Sequence, residues 1–577
     1  MKSLLLILHF ISVYSYKKIN GAELIIKKLN QHNINTVFGY PGGANLKFMD
    51  ALYNSNIKTI VNRHEQFSGF SAEGYSRVSN SIGCVITTSG PGLTNIITPL
   101  QDAYSDGIAL LAISGQVSVD KLGSSAFQEC DATALTKPCT KYNKLVKNIF
   151  ELEQSLDLAI EFAMKDRKGP VHLDICSNVF SEELYYDDNI KHYKQKQTIK
   201  NMDYIQTKAF YDIFDAIKKA KKPVLIVGQG ASKYYKNVRN FINKFNLPTT
   251  TTLHGLGIID ENDKYALEML GMHGSYTANN AIQQADLIIG LGYRFDDRTI
   301  GNINLYGLNA KNNFGIIHID ISPDKIDEVK KIVNPTYSLL MDCNDFINKI
   351  IEISDITNFK NFNKQWIEHL NLLKEKYPFK NKKSMSIPYI IKKLSDKLAS
   401  KDNYIICSGV GVHQMNIAQH FKWKYPNTFL TSGSQGSMGS CLGFGIGAQI
   451  AQPEKMIICI DGDGSFMMSC NDLMTVVEYN LPIKIFVMDN ENLGMVSNWQ
   501  DDFYNGNRAF STLQNPNFVK LANAMGIASI KCDNVEDIDS CLDEINANYP
   551  LLIHFKVNQE KCLPFVAPGK ALDDMHL

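Results

Sequence analysis

From Ala22 to Phe180, short apolar runs such as Thr36-Val37-Phe38 and Cys84-Val85-Ile86-Thr87-Thr88 alternate with stretches whose apolar residues return at helical spacing. Strands buried on both faces read as unbroken apolar runs, and their alternation with amphipathic helices is the pattern of a parallel sheet wound by crossover helices. The same pattern returns twice. A second set of strands reads Pro223-Val224-Leu225-Ile226-Val227-Gly228, Asp286-Leu287-Ile288-Ile289-Gly290 and Gly315-Ile316-Ile317-His318-Ile319-Asp320. A third region, Ile387 to Val557, has strands at Met456–Ile460 and Ile483–Met488. Two polar stretches without sustained period, Ser181 to Asn201 and Asp355 to Lys383, read as linkers. The expectation is an α/β protein of three doubly wound parallel-sheet domains, 18–182, 200–352 and 385–560. An N-terminal extension, 1–17, precedes them and a C-terminal segment, 561–577, follows. No short-period repeat or low-complexity tract is visible.

Length agrees, because 577 residues exceed one core and suit three domains of about 150–200 residues. Lys plus Arg equals Asp plus Glu at 59 each, which argues against nucleic-acid or anionic-membrane surfaces and leaves small molecules as the default ligands. The twelve cysteines form no Cys-x-x-Cys pair, so neither a disulfide framework nor a zinc site is expected and a reducing compartment fits. Lys2 followed by the apolar run Leu4 to Val13 has the length of a secretory h-region. No small-x-small cleavage site follows it, and the Arg- and Ser-rich look of a transit peptide is missing. The expectation is a cytoplasmic protein, with a plastid or mitochondrion as the alternative reached through the extension. No other run approaches the roughly 18 apolar residues of a membrane span.

The chemistry concentrates in Asp461-Gly462-Asp463-Gly464-Ser465-Phe466, with Asp489-Asn490 about 27 residues further on. Gly462 and Gly464 let backbone approach a phosphate, Ser465 follows them, and Asp463 and Asn490 offer hard oxygen ligands suited to Mg²⁺. Both segments follow strands, where open α/β sheets bind ligands. A strand-to-helix turn needs the same residues for structural reasons alone, so the spacing to Asn490 carries the functional reading.

This stretch resembles the thiamine-diphosphate motif of enzymes acting on 2-oxo acids. In that family one glutamate of the first domain hydrogen-bonds the aminopyrimidine ring and promotes loss of the thiazolium C2 proton. Glu65, in Arg63-His64-Glu65-Gln66 after Thr59-Ile60-Val61, matches it. Read alone, Glu65 is a solvated loop carboxylate. Further motifs resemble the acetohydroxyacid synthase (acetolactate synthase) large or catalytic subunits: Phe38-Gly39-Tyr40-Pro41-Gly42-Gly43-Ala44, Ala72-Glu73-Gly74-Tyr75, Thr88-Ser89-Gly90-Pro91-Gly92-Leu93-Thr94-Asn95, Gly115-Gln116-Val117 and Ala126-Phe127-Gln128-Glu129. The resemblance places Gly43 beside the reacting centre, Gln128 around the thiazolium adduct and Phe127 in the pocket wall.

In the second domain, Gly271-Met272-His273-Gly274, Gly292-Tyr293-Arg294-Phe295-Asp296-Asp297-Arg298 and His318-Ile319-Asp320-Ile321 resemble that family's FAD-binding signatures. They imply FAD held by Met272, His273, Gly274, Arg294, Asp320 and Asp342. Arg298 matches the arginine that recognises the carboxylate of the second 2-oxo acid, for which a planar guanidinium is well shaped. A local salt bridge is its ordinary alternative. Trp499 matches the residue favouring a larger acceptor, and Met438 the bulky residue that bends the cofactor. Core packing is the alternative for both. The tail Leu563-Pro564-Phe565-Val566-Ala567-Pro568-Gly569-Lys570 resembles a segment that closes over the active site.

The resemblance covers residues 19 to 577, with departures. Asp174-Ile175-Cys176-Ser177-Asn178 stands where Pro-Lys-Asp is common, so a channel lysine is absent. Gly433-Ser434-Gln435-Gly436 replaces Gly-Gly-Leu-Gly, and Met341 replaces a glycine before Asp342. Asp489-Asn490-Glu491-Asn492 replaces Asn-Asn-x-His, with Asn492 retaining a backbone carbonyl ligand for the metal. The resemblance implies thiamine diphosphate, Mg²⁺ and FAD, and decarboxylation of pyruvate with condensation onto pyruvate or 2-oxobutyrate. The products are 2-acetolactate or 2-aceto-2-hydroxybutyrate, precursors of valine, leucine and isoleucine. It also implies a homodimer or homotetramer with sites between chains and, beside it, a regulatory small subunit. The alternatives are another FAD- and thiamine-dependent enzyme, such as a pyruvate oxidase or carboligase, and a non-catalytic paralogue.

Overall fold

The computed structural model describes residues 16–187, 204–357 and 363–577. Its first compact unit carries β1 (Tyr16–Asn20), β2 (Thr36–Gly39), β3 (Lys58–Val61), β4 (Gly83–Thr87), β5 (Leu110–Gln116), β6 (Tyr142–Val146), β7 (Pro170–Cys176) and β8 (Glu183–Asp187). A parallel sheet runs in the order β3-β2-β4-β5-β7-β6, while β1 and β8 form a separate antiparallel pair. The second unit holds two more sheets. One runs β11-β10-β9-β12-β13-β14, built from β9 (Pro223–Val227), β10 (Thr249–Thr251), β11 (Ala266–Met269), β12 (Leu287–Leu291), β13 (Ile316–Asp320) and β14 (Tyr337–Leu340). The other runs β16-β15-β17-β18-β20-β19, built from β15 (Tyr404–Ser408), β16 (Phe429–Leu430), β17 (Met456–Gly462), β18 (Lys484–Asp489), β19 (Ala528–Cys532) and β20 (Leu551–Lys556).

The fold is therefore three parallel six-stranded sheets flanked by helices, as the apolar runs indicate. The central sheet shows why those runs have no polar alternation. Val224, Ile226, Ile288 and Ile316 join one core cluster, while Leu225, Val227, Leu287, Ile289, Ile317 and Ile319 join another, so both faces are buried. Counted within each domain, the first and third sheets share the strand order 2-1-3-4-6-5 and the central sheet has 3-2-1-4-5-6. In each, order reverses beside the first strand, which opens a crevice at the carboxyl ends of β2 and β4, of β9 and β12, and of β15 and β17.

Three segments differ from the sequence reading. Tyr16 and Lys17, assigned to the extension, belong to β1 and pair with Asp187 and Tyr186 of the supposed linker. The rest of that linker, 188–201, lies outside the described residues, as do 202–203 and residues 1–15. The polar stretch Asp355 to Lys383 contains a helix, Lys364–Lys376, whose Trp366 and Leu370 enter the core of the central domain. Trp366 Nε1 donates to the Pro223 carbonyl at 3.2 Å. The segment after β20 forms β21 (Phe565–Val566) and β22 (Met575–His576), and between them Leu572 is buried in the central domain's core. All twelve cysteines are free thiols. No helix among the described residues is long and apolar enough to cross a membrane.

Candidate active site

The Asp-Gly-Asp-Gly stretch ends β17 and starts the helix Asp463–Met467, at the crevice of the third sheet. A Cβ on Gly464 would lie 2.8 Å from Leu493 and 3.0 Å from Leu513, so only glycine leaves that turn open. Ser465 Oγ accepts from the Gly439 amide at 2.9 Å and so fixes the turn bearing Met438, itself half-buried, against the cradle. Asn490 follows β18, the strand next to β17, and its Oδ1 accepts from the Asn492 amide at 3.0 Å.

Asp463 and Asp489 are both buried. Asn515 Nδ2 donates to Asp463 Oδ2 at 2.7 Å and to Asp489 Oδ1 at 2.9 Å, so one amide holds two carboxylates together. Burial, with Asp489 as a nearby like charge, pushes the Asp463 carboxyl up despite hydrogen bonds from Asn515 and the Gly464 amide. Burial acts on Asp489 as well, but His554, Asn515 and Lys556 outweigh it and hold that carboxyl well below its usual range. Asp489 Oδ2 lies 2.8 Å from His554 Nε2 and 3.3 Å from Lys556 Nζ. Among the described residues no cation pairs with Asp463, whereas Asp489 has His554 and Lys556. Asn492 Oδ1 is buried with no hydrogen-bond partner among the described residues. Hard oxygens and a carboxylate lacking a cation fit Mg²⁺.

Sequence reasoning missed Asn515 and His554. Asparagine in Asn515-Pro516-Asn517 reads as an ordinary turn, whereas a histidine interrupting the apolar Leu551–Lys556 strand was a usable signal. It also missed Gly411-Val412-His413, at the start of the helix after β15. His413 Nε2 lies 3.2 Å from Asp461 Oδ1, and a Cβ on Gly462 would sit 2.8 Å from His413 Nδ1.

In the first unit Glu65 opens the helix Glu65–Ser79 behind the cap residue His64, and its Oε2 accepts from Asn95 Nδ2 at 2.9 Å. Gly43 lies just past β2, and a Cβ there would meet nothing within 4 Å. Gln128 has a positive φ of 62° and packs on the Gly90 turn, where a Cβ on Gly90 would lie 3.0 Å from Gln128 Cβ. Glu129 ties this loop by accepting from the Gly123 amide, and from Ala126 at 3.0 Å; the Gly123 bond first among them holds its carboxyl below the usual range. Phe127 projects from the clamped loop at 87 % exposure. Asp174, among the departures, is fully buried and bonded to Ser114 and Gln116.

In the central domain, Asp320 ends β13 and its Oδ1 accepts from the Ser322 amide at 2.8 Å. Asp342 caps the helix Cys343–Ile356 and accepts from the Tyr234 hydroxyl at 2.8 Å, so its carboxylate already serves the fold. Arg294 Nη2 donates to Ser434 Oγ at 2.7 Å, beside the replaced glycine motif. His273 Nδ1 is buried without a hydrogen-bond partner among the described residues, and burial lowers its ring to about 4. Gly274 closes the turn on Gly271. Gly292 (φ 56°) ends β12, and a Cβ there would come 2.6 Å from Gly230 Cα, so the crevice loops meet backbone to backbone. Arg298 is more than half exposed, 3.7 Å from Asp297, and its Nη1 lies 3.4 Å from Met272 Sδ. Trp499 sits on the helix Gly494–Phe503, half-buried, with Nε1 lacking a hydrogen-bond partner among the described residues. It is no core tryptophan, unlike Trp366 and Trp423.

Three parallel sheets with a diphosphate-type cradle at the third define a thiamine pyrophosphate enzyme, and each of the three sheet domains matches a model of that family. Residues 19–135 match the N-terminal TPP binding domain, 211–350 the central domain and 409–555 the C-terminal TPP binding domain. The chain is 38 % identical to the acetolactate synthase catalytic subunit, mitochondrial, of Saccharomyces cerevisiae, over 97 % of this chain and 84 % of that protein. It is 35 % identical to the acetolactate synthase isozyme 2 large subunit of Escherichia coli, over 96 % and 99 % respectively. Against acetolactate synthase 2, chloroplastic, of Nicotiana tabacum it is 34 % identical over 96 % and 85 %. The chain belongs to the acetolactate synthase catalytic-subunit family of thiamine pyrophosphate enzymes.

Proposed function

We propose that the chain decarboxylates pyruvate and joins the two-carbon fragment to a second 2-oxo acid, giving 2-acetolactate from pyruvate or 2-aceto-2-hydroxybutyrate from 2-oxobutyrate. The observation that carries this reading is the buried Asp463–Asn515–Asp489 group at the crevice of the third sheet, two carboxylates bridged by one amide. When bound, thiamine diphosphate would supply a thiazolium C2 carbon acid, nucleophilic toward a 2-oxo acid carbonyl once deprotonated, and a ring able to take up the electron pair left by CO₂. Asp463, Asn490 and the Asn492 carbonyl would hold Mg²⁺, with Gly462, Gly464 and Ser465 shaping the diphosphate turn and Met438 supporting the cofactor. Glu65, one oxygen fixed by Asn95, presents the other to the aminopyrimidine ring and governs its proton. Gln128 and Phe127 line the pocket beside Gly43. Arg298 takes the acceptor carboxylate with its guanidinium fork, and Trp499 sets acceptor size.

FAD would lie in the crevice between β9 and β12. The 3-2-1-4-5-6 order is that of dinucleotide-binding sheets, and Asp320 and Arg294 would be its polar contacts. Its role is structural, since the reaction has no net redox change. The active form is a homo-oligomer whose sites join Glu65 of one chain to the cradle of its partner. The relatives' names, "catalytic subunit" and "large subunit", support a separate regulatory chain.

The test is product analysis with thiamine diphosphate, Mg²⁺, FAD and pyruvate, with and without 2-oxobutyrate. Acetolactate alone, then mostly 2-aceto-2-hydroxybutyrate under competition, is expected. Oxygen uptake matching CO₂ release would instead identify an oxidase. For the metal, Asn515→Ala lowers Mg²⁺ affinity about 10–100-fold, read by titrating metal against cofactor binding; unchanged affinity would separate the carboxylate pair from the metal.

A further inference from the structure

The residue proposed to set acceptor size, Trp499, sits on a closed loop. Residues 491–513 leave β18 and return to it: the Leu493 amide donates to the Ser511 carbonyl at 2.8 Å, and the Leu513 amide to the Glu491 carbonyl at 2.9 Å. The base is thus fixed, and the segment closes on itself around the helix Gly494–Phe503. Its far end is held by something else. Arg508 engages Asp501 with both arms of its fork, Nε to Oδ1 at 2.9 Å and Nη2 to Oδ2 at 2.8 Å. Its remaining nitrogen, Nη1, donates to Gln559 Oε1 at 2.8 Å, and Gln559 Nε2 donates to the Asn490 carbonyl at 3.1 Å. Lys561 pairs with Asp502 on the same helix.

Gln559 and Lys561 lie on the strap that leaves β20. Seven residues past Gln559, the Val566 amide donates to the Met272 carbonyl at 2.8 Å, and the Met272 amide donates to the Arg298 carbonyl at 2.7 Å. One short segment, 559–566, is therefore bonded at one end to the helix of Trp499 and at the other to the turn of Arg298. Simple exposed ion pairs stabilise little. A bidentate arginine with a third, neutral partner is different, because it fixes orientation as well as distance.

We propose that Gln559 and Arg508 are positioning residues that set acceptor choice by holding the Trp499 helix at a fixed separation from Arg298. The proposal rests on the acetolactate synthase reading above. It adds that preference for the larger 2-oxo acid depends on this clasp and not on Trp499 alone. Neither residue touches substrate. Arg508 bonds Asp501 and Gln559 and no residue of the cradle, so its loss changes the partition between acceptors more than the total rate, whereas Gln559 also holds the Asn490 carbonyl.

The test compares wild type with Arg508→Leu and Gln559→Ala, two variants on different elements, in mixtures of pyruvate and 2-oxobutyrate. The ratio of 2-aceto-2-hydroxybutyrate to acetolactate should fall about two- to tenfold, the size expected for losing an ordinary intramolecular hydrogen bond. In Arg508→Leu, which touches no cradle residue, total 2-oxo acid consumption should change much less. Arg508→Lys keeps the charge but not the fork and should fall between. Acrylamide quenching of tryptophan fluorescence supplies a readout apart from turnover: Trp366 and Trp423 are buried, so the quenchable signal is that of Trp499 and should rise in the variants. An unchanged product ratio in a folded variant overturns the proposal, whatever the quenching shows. If wild type forms neither product, the acetolactate synthase reading itself fails.

Discussion

Replacing Glu65 by glutamine lowers turnover about 10²–10⁴-fold, the usual contribution of a positioned acid-base group. Glutamine keeps the shape and can still hydrogen-bond Asn95, so the helix Glu65–Ser79 keeps its start and the unfolding temperature should not move. What disappears is the carboxylate proposed to exchange a proton with the aminopyrimidine ring. The sharpest readout is deuterium exchange at thiazolium C2, which should slow in Glu65→Gln by a factor comparable to the loss in turnover. A variant that exchanges C2 at the wild-type rate would remove Glu65 from this step, however little product it makes. Asn95→Ala should have a smaller effect, up to about tenfold, because it frees the carboxylate's orientation without removing it.

Glu65 also shows what the sequence made legible. The sheets could be read because their strands are buried on both faces, as Val224 to Val227 illustrate, and a strand-length apolar run bounded by glycine is too short for a helix of ordinary length. The cradle was legible because Asp463 and Asn490 are tied to strand ends. The clasps around these residues were not. Asn95, Asn515 and Gln559 are amides in loops or at helix ends, and amides are common there for turn chemistry alone. Trp366 and Leu370 are the two buried residues of the helix Lys364–Lys376, and its charged remainder hid so narrow a stripe. The shared strand order of the first and third sheets left no trace as a sequence repeat, because topology constrains burial and crossover length and not residue identity.

Asp174 supports the second large prediction. It is buried in the first sheet at the end of a polar chain: Ser114 Oγ lies 2.6 Å from Asp174 Oδ1 and 2.7 Å from His172 Nε2, and His172 Nδ1 lies 2.9 Å from Thr136 Oγ1. Gln116 Nε2 donates to Asp174 Oδ2 and to the Cys130 carbonyl, both at 2.9 Å, below the loop that carries Gln128. Burial lowers His172 to about 3, so its ring is neutral. Burial raises Asp174 from 3.8 to about 7 against the opposing Ser114 and Gln116 bonds. Ser114 Oγ donates to Asp174 Oδ1 when the carboxyl is ionised. With Asp174 protonated this bond reverses, and Ser114 donates to His172 Nε2, His172 Nδ1–H to Thr136, and Thr136 to the Ala132 carbonyl at 2.9 Å. If Asp174 ionised, Ser114 would turn to donate to it, the ring would donate Nε2–H to Ser114, and Thr136 would have to serve both Nδ1 and Ala132 with one proton. Between pH 3.8 and about 7 the folded protein keeps a proton that the unfolded chain has lost, so stability falls as pH rises through this window. The full difference is about 4 kcal/mol. Asp174→Asn reproduces the protonated pattern, its amide donating to Ser114 and its carbonyl accepting from Gln116, but cannot ionise. Its unfolding temperature should therefore match wild type near pH 4, rise increasingly above it toward pH 7, and hold a constant lead beyond. A difference between the two proteins that does not vary with pH would mean that Asp174 is charged in the folded state and that the proton order along this chain is reversed.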